Sequence, residues 1–132
     1  RLSAAQQHAQ QHAGAIIVIA QGSSGAVLNK VFTNAKLPEP AAFVMLSAFL
    51  PDATLNQQLA ETIAFQPVPT LDISYRQDPN QITSQLPKRR QLANKHLKAF
   101  YRQRVLAGSA YHVENQHWLL QEITGWLISM CL

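Results

Sequence analysis

Cysteine is almost missing from this chain: Cys131 is the only one in 132 residues. That excludes an internal disulfide, and cysteine usage gives no sign of the redox compartment. Long apolar runs are missing too. None is longer than six residues, the length of Ala15 to Ala20, far short of the roughly 20 residues that a helix needs to span a bilayer. There is no initiator Met and no signal-type segment. The chain opens at Arg1 in a Gln/Ala/His-rich stretch that reads as a helix already under way, so we expect a processed or truncated piece of something longer. Repeats, low-complexity tracts and linkers are absent, as are a zinc-ligand set and any recognisable nucleic-acid motif. Acidic side chains are missing where bases are densest. Lys88, Arg89, Arg90, Lys95, Lys98, Arg102 and Arg104 follow one another with no Asp or Glu between them. Within a net charge of +4, such a stretch is either a solvated helix face or a field for an anionic partner.

What is present suits one globular domain. With 47% apolar residues the chain can bury one real core. Arg1 to Ala13 reads as a helix stopped by Gly14. Ala15 to Ala20 is apolar on both faces, as a buried parallel strand is. Gln21 to Gly25 is a tight small-residue turn, after which Ala26, Val27, Leu28, Val31 and Phe32 recur at helical spacing. A second strand is expected over Ala41 to Phe49. A helix capped by Asp52 or Thr54 follows, carrying Leu55, Leu59 and Ile63. Val68 to Tyr75 is a third strand, closed by a polar loop from Arg76 to Asn80. A basic helix from about Lys88 to Phe100 is expected to turn Leu92, His96, Ala99 and Phe100 inward. Tyr101 to Leu106 is a fourth strand, and Trp118 to Cys131 a closing helix. This alternation implies an α/β fold, a mainly parallel sheet of about four strands with flanking helices.

In open parallel sheets chemistry gathers at the carboxyl ends of strands. Three such ends carry Gln21-Gly22-Ser23-Ser24-Gly25-Ala26, Asp78 and His112. The order Ser, Asp, His is the chain order of the α/β-hydrolase triad. Val68-Pro-Thr-Leu-Asp-Ile-Ser-Tyr-Arg-Gln-Asp78-Pro79 resembles the hydrolase strand whose loop presents the acid. Leu106-Ala-Gly-Ser-Ala-Tyr-His112 resembles the loop that presents the histidine. The Leu-Asp-Ile strand, the helix from Arg89 to Ala93, Tyr101-Arg-Gln and Gly125-Trp-Leu are similar to a bacterial α/β-hydrolase-like family of unknown function. The resemblance spans nearly the whole chain but only the second half of a hydrolase fold. It implies that the missing strands lie in a preceding segment, along with the loop that completes the oxyanion hole. Because members usually carry an export signal, it also implies a periplasmic location.

A serine attacks only when an imidazole takes its proton, and the imidazole needs a carboxylate to hold its tautomer. The nucleophile sits on a strained strand-to-helix elbow, with small residues two before and two after it. Ser24 meets that rule through Gly22 and Ala26. Ser23 is the alternative, with bulky Gln21 at its leading flank. In a third register Gly22 itself holds the tip between Ala20 and Ser24, and no nucleophile remains. The expectation is therefore either a serine hydrolase using Ser24 (or Ser23), Asp78 and His112, or a catalytically degenerate hydrolase fold acting as a binding or assembly module. The hydrolase would cleave an ester, thioester or amide. Neither reading calls for a cofactor or a metal. His8 and His12 lie one helical turn apart but lack a third ligand, and His117 has no better claim than His112. Asp72, inside the third strand, needs a partner, for which Arg102 and Arg104 are candidates. Trp118 and Trp126 read as core. The edge of Ala15 to Ala20, apolar and without a protecting Lys, Pro or bulge, is expected to pair with the missing N-terminal half or with a second copy.

Overall fold

The computed structural model describes residues 4–5, 15–34, 38–109 and 115–132. Ala4 and Ala5 are helical. The rest of the expected first helix, with His8 and His12, lies outside the described residues.

Four strands, β1 (Ile17–Gln21), β2 (Ala42–Leu46), β3 (Thr70–Tyr75) and β4 (Tyr101–Leu106), form one sheet in the order β1-β2-β3-β4. Every pair is parallel, with Ile19 opposite Val44, Val44 opposite Leu71 and Leu71 opposite Arg102. Besides the helical Ala4 and Ala5, the described residues form five helices: α1 (Gly22–Phe32), α2 (Ala53–Phe65), α3 (Asn80–Thr83), α4 (Leu86–Lys95) and α5 (Asn115–Ser129). When strands are added in one direction, crossovers of one hand must all fall on one face. The cores obey this. Ala26 and Phe32 of α1 and Leu59 and Ile63 of α2 pack with Phe43, Met45 and Val68 on one face, and α4 lies against α2. On the other face Ala42, Val44, Leu71 and Ile73 meet Trp126, Leu119 and Ile123 of α5. The α/β architecture and the flanking helices are as expected. Asp52 caps α2 by accepting from the Leu55 N–H at 3.0 Å.

Three expectations need correcting. The basic helix ends at Lys95, and Phe100 stands 65% exposed rather than inward. Trp126 is buried but Trp118 is exposed, because residues eight apart lie about 80° apart around a helix. Asp72 is paired with Arg89, not with Arg102 or Arg104. Both side chains are fully buried, with Arg89 Nη1 donating to each carboxylate oxygen at 3.3 Å. Arg89 Nη2 also donates to the Ala48 carbonyl at 2.7 Å, and the Tyr101 hydroxyl donates to Asp72 Oδ2 at 2.7 Å. Burial, with the Asp72 charge beside it, holds the Tyr101 phenol far above its ordinary range.

Lys98 donates from Nζ to the carbonyls of Gln66 and Val68, at the carboxyl end of α2. Burial pushes its ammonium down from 10.5 to about 8. Between those two pH values the unfolded chain binds the additional proton, so stability rises with pH across the window. Below about pH 8 the buried ammonium carries its full desolvation cost. The advantage of the native chain over a Lys98→Met variant should therefore grow by about 1–2 kcal/mol between pH 8 and 10.5, after allowance for the solvent that reaches this side chain. Urea unfolding of both chains across that range checks it, and parallel pH curves would show that Lys98 titrates normally.

Candidate functional site at the carboxyl ends of the strands

β1 runs straight into α1. Gln21 is extended, with φ −112° and ψ 146°, and Gly22 turns the chain with φ 61°. A Cβ at Gly22 would meet only the Phe49 ring, at 3.7 Å. Space does not demand glycine here; the left-handed backbone does. Gly25 is a different case. A Cβ there would stand 3.1 Å from the Ala20 carbonyl oxygen, so its bare backbone lets α1 sit close on β1. Gly22 thus carries the positive φ at the strand-to-helix junction, while Ser23 and Ser24 lie exposed in the first turn of α1.

At the end of β2 the chain turns sharply at Ser47, a buried non-glycine residue with φ 50°. Its hydroxyl donates to Asp78 Oδ2 at 2.8 Å, and the Tyr75 backbone N–H donates to the same oxygen at 2.8 Å. Asp78 therefore sits at the carboxyl end of β3, strapped to the end of β2 and to its own turn. Burial, and then the Asp78 charge, raise the Tyr75 phenol. The loop after β3 is also joined to the loop after β4. Arg76 N–H donates to the Leu106 carbonyl at 2.9 Å and Gln77 N–H to the Gly108 carbonyl at 3.0 Å. The Asn115 amide reaches back to the Ser109 carbonyl at 2.9 Å. His112 itself lies outside the described residues, so the expected Asp78 to His112 contact does too. Up to Ser109, the chain leaving β4 runs beside the Asp78 loop.

The apolar run through Phe49 reads as one strand and so hides the turn at Ser47. The signal was a lone hydroxyl inside that run, directly before Ala48. Among the described residues no group of three or more His, Cys, Asp or Glu side chains could hold a metal ion. No helix among them is long and apolar enough to cross a membrane.

A family model described as "Protein of unknown function (DUF3530)" matches residues 1–129. Searches of the curated proteins and of the solved structures returned no match. With all but its last three residues inside the matched span, the chain belongs to the DUF3530 family of proteins of unknown function.

Proposed function

We propose that this chain is an α/β-hydrolase-like domain in which Gly22 occupies the nucleophile position, and that it acts as a binding and assembly module. The observation that carries this reading is the elbow. The residue with positive φ between β1 and α1 is Gly22, and no side chain projects from it to attack a substrate. The sequential parallel order β1-β2-β3-β4 and the acid at the end of β3 suit the second half of a hydrolase sheet. A second reading keeps the chemistry. Ser24 (or Ser23) would attack, His112 would carry the proton and Asp78 would orient His112, with no cofactor. It is favoured by one observation, the firm placement of the Asp78 carboxylate by Ser47 and the Tyr75 N–H. By the same family resemblance we propose that the protein works in the periplasm.

Assembly would use β1. Among the described residues β1 pairs only with β2. Its Ile17-Val-Ile-Ala-Gln segment carries no charge, and Ile19 is exposed. An uncharged, β-branched edge is a template for another strand. We propose that it pairs with a strand from outside this sheet, supplied by a second copy when the chain is alone. Light scattering on the isolated chain should give a mass above that of one copy, and Ile19→Lys should reduce it to a monomer. A monodisperse native monomer would defeat this reading. Of the basic stretch from Lys88 to Arg104, the exposed Lys88, Arg90 and Lys95 of α4 are proposed to face an anionic partner; Arg89 is held by Asp72, Lys98 by the Gln66 and Val68 carbonyls, and Arg104 by Glu122.

A further inference from the structure

The opposite pole of the sheet carries a feature that the elbow and its neighbours do not use. Between α4 and β4 the chain makes a turn over residues 96–100 in which Leu97 has φ 54° and Phe100 φ 57°. Neither is glycine, and a bulky residue in the left-handed region costs of order 1 kcal/mol or more. The turn is nonetheless tightly held. The Lys98 N–H donates to the Ala93 carbonyl at 2.9 Å, and the Thr70 N–H donates to the Phe100 carbonyl at 3.1 Å. Lys98 Nζ ties the turn to Gln66 and Val68. The His96 ring rests on Phe65, with centroids 4.4 Å apart.

What this strained, anchored turn presents to water is apolar. Leu97 is 87% exposed, Phe100 65% and Phe65, at the end of α2, 60%. Clustered exposed side chains of this size mark an interaction surface. Two features say what kind. None of the three lines the cleft between β4 and α5 or the cleft between α1 and α2. Three exposed side chains offer less area than the roughly 1,000 Å² of a stable protein interface. The flanking charge is also basic: α4 contains no acid, and its last residue, Lys95, is exposed beside the turn. Glu61, one turn before Phe65 on α2, is the nearest acid along that helix.

We propose that the 96–100 turn and Phe65 form a docking tip for an anionic lipid surface. Leu97, Phe100 and Phe65 enter the interfacial layer, and Lys95 lies against the headgroups. Partial burial of apolar side chains and attraction between Lys or Arg and anionic lipid add together in such contacts. The inference draws on the reading of the basic stretch as anion-facing and is independent of assembly through β1.

The test uses the whole chain with sedimented vesicles of phosphatidylcholine alone, or of phosphatidylcholine mixed with phosphatidylglycerol. The native chain should partition onto the mixed vesicles and at least about fivefold less onto the neutral ones. The decisive variant is Leu97→Gly/Phe100→Gly. Glycine relieves both left-handed positions, so this variant should melt no lower than the native chain. Its partition onto mixed vesicles should nevertheless fall about tenfold. Lys95→Glu should lower partition about fivefold or more. Partition undiminished in the double-glycine variant, or no partition onto either vesicle, overturns the proposal. A chain that binds the soluble polyanion heparin but neither vesicle would keep the anion-facing reading and overturn the membrane one.

Discussion

Replacing Arg89 by Met should cost about 3–5 kcal/mol of unfolding free energy, because it strands the fully buried Asp72 carboxylate. Arg89 ties its own helix to two other parts of the fold. From α4 it donates to Asp72 on β3 and to the Ala48 carbonyl after β2. The Tyr101 hydroxyl would remain as a donor to Asp72, which is too little to stabilise a buried charge on its own. Asp72→Asn should also destabilise, since it leaves the guanidinium as the uncompensated charge. Removing both charges, as Asp72→Leu with Arg89→Met, should recover a large part of the single-variant loss. Urea denaturation of the three chains measures this. If Arg89→Met unfolds within about 1 kcal/mol of the native chain, the pair is solvated rather than buried.

A loss of about 3 kcal/mol or more is also expected for Gln66→Leu. The Gln66 amide lies fully buried where α2 hands over to β3. Its Oε1 accepts from the Val68 N–H at 2.7 Å, while Nε2 donates to Thr70 Oγ1 at 2.7 Å and to Asn29 Oδ1 at 3.2 Å. Leucine has nearly the right volume but orphans a backbone donor and an amide oxygen, each costing about 1–3 kcal/mol. Gln66→Glu keeps the acceptor for Val68 and loses both donors, so it should not restore stability. Leu and native chains of equal stability, in the same urea assay, would mean the amide is not part of the buried network.

These two polar networks were the least legible part of the sequence. Apolar periodicity located all four strands, and β4 has the bounds expected of it. The earlier strands are shorter than their apolar runs. Ala48 and Val68 are buried without joining the ladder, because apolar residues also pack in the connections. Leu92, His96, Ala99 and Phe100 fall at helical spacing and predict a helix before β4 that reaches Phe100. Spacing does not reveal the left-handed turn that ends it. From the sequence, Arg102 and Arg104 on the neighbouring strand are the candidate partners of Asp72. In the actual register Asp72 faces Gln103, so Arg102 and Arg104 point to the opposite side of the sheet. Arg104 pairs there with Glu122 of α5 at 3.5 Å. At the candidate site, the small-residue turn, the acid and their strand ends were readable. Which of Gly22, Ser23 and Ser24 takes the positive φ is a matter of backbone, and three registers fitted the same letters.

The most direct test of the account is labelling with a fluorophosphonate probe, which reacts with a serine only when an imidazole activates it. With Gly22 at the elbow tip, the native chain should label no faster than the Ser23→Ala/Ser24→Ala double variant or the urea-unfolded chain. Rapid labelling of the native chain that Ser24→Ala or Ser23→Ala abolishes would contradict the account and establish a working nucleophile.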